Sequence, residues 1–230
     1  MEPRQRKVFI TGGTGYIGTV LARELVQRGH RVRVLVRPGS ERKVPEGCQL
    51  VHGDALRAET YAHEIASTDA FVHLVGVAHP NPKKAAEFRS IDLQSCMQAV
   101  RAAKNAAVRH FIYLSVARPA PVMQEYQAAR AQGEQLIIQS GLPATFIRPW
   151  YVLGPGHRWP TLLIPLYALA RLYPGTREGA ERLALVTLAQ MVRTLVWAVE
   201  NPTDDVRALE PRHIIRGFVD PLAIRRVATA

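Results

Sequence analysis

Apolar positions along this chain follow two rhythms that alternate from the N-terminus to about residue 149. A β-branched run from Lys7 to about Thr11 predicts a strand, and a glycine cluster follows it. Next comes Val20-Leu21-Ala22-Arg23-Glu24-Leu25-Val26, whose apolar residues recur at helical spacing. Gly29 closes that helix, and Arg31 to Val36 alternates basic with apolar residues as a second strand does. Further strands are predicted at Gln49 to His52, Ala70 to Val75, His110 to Ser115 and Ala144 to Ile147. Helices are predicted at about Glu87 to Ala106 and about Met123 to Ser140, the second ending at Gly141. Parallel strands need crossover connections, which helices fill, so the expected fold class is α/β with a doubly wound parallel sheet.

After Arg148-Pro149 the texture changes. Gly154-Pro155-Gly156, Pro160, Pro165, Pro174 and Gly175 break the chain into short pieces, with one good helix at about Leu188 to Glu200. The expected division is therefore the α/β sheet domain over 1–149 and a small cap over 150–230, packed at the edge of the sheet. In such folds a ligand lies beyond the carboxyl ends of the strands, where this cap is expected.

Composition narrows the class. The chain has 230 residues, 47% hydrophobic and 21% charged, enough for one substantial core and too apolar for disorder. A net charge of +11 favours an anionic partner. The Lys and Arg are scattered, with no long basic run and no nucleic-acid recognition motif, so nucleic acid is not an expected partner. Cys48 and Cys96 stand far apart in no metal or redox spacing, which suits a reducing, cytoplasmic setting with two free thiols. No stretch approaches the roughly 20 apolar residues that a membrane span needs.

The glycines of Thr11-Gly12-Gly13-Thr14-Gly15-Tyr16-Ile17-Gly18 fall where the first strand turns into the first helix. Gly12 permits a tight turn, Gly15 lets backbone approach a pyrophosphate, and Gly18 permits close packing of helix on strand. The helix start offers free N–H groups and a positive dipole end to the phosphates, with Thr14, Tyr16 and Ile17 beside them. This is a Rossmann dinucleotide loop. Where NAD-binding folds place an acidic residue for the ribose, this chain has Arg37 at the end of the second strand, with Ser40, Arg42 and Lys43 nearby. Arginine there suits a 2′-phosphate, so NADP(H) is the expected cofactor ahead of NAD(H).

Together these residues resemble the short-chain dehydrogenase/reductase superfamily, particularly its extended and atypical branches. Those branches include sugar epimerase-like enzymes, NmrA-like regulators and relatives of a complex I accessory subunit. The resemblance implies that Asp54, after Gly53 and before Ala55, meets the adenine ring, and that Leu74-Val75-Gly76 lies along the cofactor. It further implies that Arg148-Pro149-Trp150-Tyr151-Val152-Leu153-Gly154-Pro155-Gly156 closes around the nicotinamide, with Pro149 and Val152 as contacts.

In active members of that superfamily a Ser at the end of the fifth strand and a Tyr-x-x-x-Lys pair on the next helix do the chemistry. Ser115 and Tyr126 match. Tyr126 is then the proton donor or acceptor for the substrate oxygen and Ser115 holds that oxygen. The partner position, on the same helix face as Tyr126 and able to contact both it and the nicotinamide ribose, holds Arg130 instead of Lys, and the guanidinium fork does not reproduce the point charge of an ammonium. Asp92, within Ser90-Ile91-Asp92, replaces the asparagine of the long central helix. Two readings follow from these departures. One is an oxidoreductase acting on a small carbonyl, enone or quinone-like substrate. The other is a non-catalytic protein in which bound NADP(H) stabilises the fold or senses redox state.

His73 and His79 lack partners at ligand spacing, so no metal site is expected. There is neither a Gly-x-Ser-x-Gly elbow nor the Gly-Lys-Ser/Thr ending of a P-loop, which sets aside hydrolase and NTPase readings. In the cap, His157-Arg158-Trp159 and Thr161-Leu162-Leu163-Ile164-Pro165-Leu166-Tyr167 are candidates for an apolar substrate pocket, for core, or for a face that meets a membrane or a protein partner.

Overall fold

A computed structural model describes residues 4–156 and 174–217. The stretches 157–159 and 161–167, candidates for a pocket, for core or for a partner face, lie outside the described residues.

Seven parallel strands form the main sheet in the order β3-β2-β1-β4-β5-β6-β9: β1 Lys7–Thr11, β2 Arg31–Val36, β3 Gln49–His52, β4 Ala70–His73, β5 His110–Leu114, β6 Ala144–Ile147 and β9 Val206–Leu209. β7 Tyr151–Leu153 and β8 Leu185–Thr187 pair as a separate parallel ribbon. Among the described residues the α-helices longer than one turn are α1 Tyr16–Gln27, α2 Gln94–Asn105, α3 Gln124–Ser140, α4 Pro174–Arg182, α5 Leu188–Glu200 and α6 Pro211–Arg216. This is the expected doubly wound sheet, and the strand order reverses between β1 and β4.

Each face of the sheet collects one set of alternating side chains. Val8 and Ile10 of β1 pack with Leu21 and Leu25 of α1 and with Met191, Leu195 and Val199 of α5. Phe9, between them in sequence, points to the other face, where Ala99 and Ala103 of α2 and Ile137 of α3 cover it. Register places Phe9 beside Phe71 and Phe71 beside Phe111 on three neighbouring strands. Their rings lie 5.2 Å apart in each pair, a row of aromatic contacts that the small alanines of α2 allow a helix to approach.

Three elements differ from the expectation. β4 stops at His73 and β5 at Leu114, so Leu74-Val75-Gly76 and Ser115 are loop. The long central helix is interrupted: residues Phe88–Leu93 form a π-helical stretch ahead of α2, and it buries Phe88 and Asp92. The segment after 149 is also more than a cover. β9 pairs with β6 in the main sheet, and α5 fills the core beside α1. Sequence reading passed over β9, Val-Arg-Ala-Leu, because its Arg and Ala leave it little of the β-branched and aromatic content that marks a strand.

Candidate functional site

The glycine loop leaves β1 at Thr11 and turns at Gly12, whose φ of +78° lies in the left-handed region that glycine adopts without strain. Proximity matters there too. A Cβ on Gly12 would stand 2.8 Å from the carbonyl carbon of Leu74 and 2.9 Å from the nitrogen of Val75. The loop therefore touches Leu74-Val75-Gly76 at the point where strand order reverses. A Cβ on Gly18 would overlap the carbonyl oxygen of Gly12, so the first turn of α1 rests directly on the loop.

Gly15 caps α1 with extended backbone. No side chain caps this helix start and no acidic residue occupies its first turn. The Gly15 N–H is used by the Gly12 carbonyl at 3.0 Å, and Thr14, Tyr16 and Ile17 are partly buried around it. First-turn N–H groups have no partner inside their own helix, so this end carries donors and a positive dipole with nothing acidic in place to neutralise them. These residues fit the diphosphate of a dinucleotide.

At the adjoining strand ends, Arg37 is exposed just past β2, with Arg42 and Lys43 on the following turn. Asp54 lies after β3, where the Gly53 N–H bonds the Val36 carbonyl at 3.0 Å. One Asp54 oxygen accepts from the Leu56 N–H at 2.9 Å and the other faces Arg57 at 3.6 Å, while Ala55 packs against the core. The segment Arg148 to Gly156 returns to the glycine loop, since a Cβ on Gly154 would overlap the Tyr16 hydroxyl. Pro149 is buried, and its carbonyl accepts from the Ala117 N–H at 2.9 Å. Val152 packs on the core near α5.

Ser115 follows β5. Its N–H donates to the Ile147 carbonyl at 2.8 Å, and its Oγ is buried without a hydrogen-bond partner among the described residues. Tyr126, on the first turns of α3, is partly buried with its ring 5.2 Å from Phe88. Arg130 lies one helical turn further and is 2% exposed. Its guanidinium donates to the carbonyls of Leu114 at 2.9 Å and Val75 at 3.3 Å, and pairs with Asp92 at 2.8 Å. It also lies 5.3 Å from the centre of the Tyr126 ring and 5.7 Å from that of Tyr113. Burial works against this charge, but Tyr126, Tyr113 and Asp92 hold the guanidinium well above its ordinary pKa. Burial pushes the Asp92 carboxyl up, with Arg130 and the Val77 N–H pulling it back.

Sequence reading noted Arg130 and Asp92 separately and did not couple them. It also passed over a second set of charges one turn along α3. Glu134 is 1% exposed and binds Arg148 at 2.6 and 2.7 Å, with Arg118 on the same carboxylate, while Arg148 reaches Glu210 at 2.8 Å. The four-residue step from Arg130 to Glu134 was the available signal, but nothing local says which strand ends supply the arginines. Under the glycine loop His73 is fully buried, with Thr11 Oγ1 2.7 Å from its Nδ1 and Ser95 Oγ 3.4 Å from its Nε2. Among the described residues no three metal-ligating side chains gather, and no helix is long and apolar enough to cross a membrane.

A protein family described as NAD(P)H-binding matches residues 12–157, from the glycine loop through the segment after β6. The chain belongs to this family. That membership is consistent with the resemblance to atypical short-chain dehydrogenase/reductase Rossmann proteins. The ceramide reductase of Caulobacter vibrioides is 26% identical over 85% of this chain and 61% of that protein. A farnesyl-dihydroquinoline-oxide ketoreductase of Stigmatella aurantiaca is 28% identical over 64% of this chain and 51% of its own length. The photosystem II assembly factor Ycf39 of Synechocystis is 27% identical over 50% of this chain and 35% of its own length. The chain thus spans about half to three fifths of the first two relatives. Among solved structures, the Bordetella bronchiseptica enzyme WbmH in complex with NAD+ superposes with a TM-score of 0.68 at 22% identity, covering 90% of this chain and 76% of that one. The dTDP-glucose 4,6-dehydratase DesIV of Streptomyces venezuelae gives 0.64 at 19% identity, with 91% and 79% covered. At such identities these two likenesses speak for the fold alone.

Proposed function

We propose that the chain is an NADP(H)-dependent oxidoreductase acting on a small carbonyl, enone or quinone-like substrate. The observation that carries the catalytic part is the Ser115 hydroxyl, buried just past β5 with no hydrogen-bond partner among the described residues. An unpaired buried hydroxyl is costly unless something polar meets it. A substrate oxygen is that partner in this reading. A bound nicotinamide supplies the hydride. Ser115 Oγ–H donates to the substrate oxygen, Tyr126 Oη–H gives it the proton, and the Arg130 charge offsets the phenolate left behind. The Gly12, Gly15 and Gly18 loop takes the diphosphate, with Arg37 on a 2′-phosphate and Asp54 and Ala55 toward the adenine. Leu74 to Gly76, Pro149 and Val152 border the nicotinamide end, and the region from 150 onward supplies the substrate side. The two reductases among the relatives support the reaction class.

A second reading, a cofactor-binding protein without turnover, draws on the burial of Arg130, whose guanidinium is turned into the fold instead of toward an open cleft. One experiment separates the two. NADPH and NADH are titrated against wild type and Arg37→Ala by nicotinamide fluorescence, and NADPH consumption is followed with a carbonyl and quinone panel in wild type and Tyr126→Phe. The enzyme reading expects NADPH-selective binding that Arg37→Ala weakens about tenfold or more, the worth of a charge-assisted hydrogen bond. It also expects Tyr126→Phe to lose about 10²-fold or more in turnover at nearly unchanged cofactor affinity. Equal NADPH and NADH affinities would remove the role of Arg37, and full turnover in Tyr126→Phe would remove Tyr126 from the chemistry.

A further inference from the structure

Asp92 and Arg130 come from different helical segments, and the loop after β4 wraps the pair they form. Arg130 takes the Val75 carbonyl at 3.3 Å, and Asp92 takes the Val77 N–H at 2.9 Å. Between these two, Gly76 lies so close to the guanidinium that a Cβ there would overlap it. On its other side Arg130 takes the Leu114 carbonyl at 2.9 Å, one residue before Ser115. The same loop begins with Leu74 and Val75, whose backbone abuts Gly12. One buried pair therefore touches, through backbone groups, both the loop beside the cofactor cradle and the strand end that carries Ser115.

The way Asp92 is delivered adds to this. It lies in the π-helical stretch Phe88–Leu93, fully buried, and π-helical turns within helices concentrate at functional sites. A buried ion pair contributes little net stability compared with apolar side chains of the same volume. Its distinctive property is geometric. A planar guanidinium with separate donors fixes several acceptors at once, which an ammonium cannot copy.

We propose that Arg130 and Asp92 are a positioning pair, holding the Val75–Val77 loop and the end of β5 at a fixed separation and so shaping the half of the cofactor site that receives the nicotinamide, without either side chain touching cofactor or substrate. This rests on the cofactor reading given above. It assigns Arg130 a role different from a direct cofactor contact, and it makes Asp92 and Arg130 one functional unit.

The test uses the whole chain and two probes: NADPH, and 2′,5′-ADP, which carries the adenosine 2′-phosphate and lacks the nicotinamide half. Their affinities are measured for wild type, Asp92→Asn, Arg130→Met and the double variant, with thermal unfolding of each. Positioning through the pair predicts that each single change weakens NADPH about tenfold or more while 2′,5′-ADP changes by less than about twofold, and that the double is no weaker than the worse single. A uniform loss on both probes would mean general destabilisation and overturn the proposal. So would additive losses, which mark a direct contact by Arg130, or no loss at all. If either single variant does not fold, Arg130→Lys takes its place; it keeps the charge and loses the fork, and the same selective loss is expected. Wild type that binds neither probe nor NADH would instead remove the cofactor reading, and this proposal with it.

Discussion

The two ends of the candidate site are built from different materials. Around α1 the site is backbone: Gly12, Gly15 and Gly18, an uncapped helix start and no acidic side chain in the first turn. Around α3 it is charge, matched pair by pair: Arg130 with Asp92, Arg118 and Arg148 with Glu134, and Arg148 again with Glu210. The difference fits the proposed roles, a phosphate receptor at one end and a reaction end at the other. A receptor for phosphate works by leaving donors unspent, so its own fold keeps anions away from them. A reaction end works by holding strand ends still, so its charges are consumed within the fold. The first region should fail when something is added and the second when something is taken away.

The largest effect belongs to the charged end. Glu134→Ala takes the shared buried carboxylate from Arg118 and leaves Arg148 only Glu210, and the loss of a buried partner costs about 3 kcal/mol. A denaturant midpoint shifted by no more than a surface substitution produces would show that Arg118 and Arg148 simply turn out to water, and the contrast between the two ends would weaken.

Gly18→Ala should be felt at the other end. The added methyl meets the Gly12 carbonyl oxygen, and overpacking of this kind costs about 1–3 kcal/mol. Because the displaced atom belongs to the loop itself, NADPH affinity should fall more steeply than stability does. Calorimetric titration beside thermal unfolding would reveal this, and unchanged affinity would mean that the loop does not hold the diphosphate.

The third test concerns two buried histidines, His73 beneath the glycine loop and His110 at the opposite, N-terminal ends of the strands. Burial, helped by Arg130, pushes His73 down to about 3, and burial with Arg207 and Arg6 does the same to His110. Unfolded, each titrates near 6.5. Below that pH the unfolded chain takes up protons that the folded chain refuses. Stability is therefore full above about 6.5 and declines as pH falls toward 3, by at most about 1.4 kcal/mol per pH unit for each histidine. Urea melts at pH 7 and 5 should show the loss, and His73→Asn should reduce it by about half. An equal slope in the variant would mean that His73 is protonated in the native state.

Residues that act through local backbone were legible in the sequence. The glycine spacing, the positions of β1, β2, β3 and β6, and the helix from Leu188 to Glu200 followed from periodicity and from where glycine must stand. Ser115, Tyr126 and Arg130 were legible only through the resemblance to the short-chain dehydrogenase/reductase pattern, and the helical repeat explains why Tyr126 and Arg130 share a face. What the guanidinium of Arg130 does was not. Its partners, Asp92, Val75 and Leu114, come from segments distant in the chain, and an ion pair leaves no mark on either local sequence. The same holds for β9, whose four residues become a strand only because β6 offers a free edge beside them. The sequence by itself determined the parallel α/β scaffold and the dinucleotide loop, since turn chemistry and alternation are properties of neighbouring residues. Only the tertiary structure decided how the charges are paired and which strand closes the sheet, because those choices depend on which distant groups burial brings into reach.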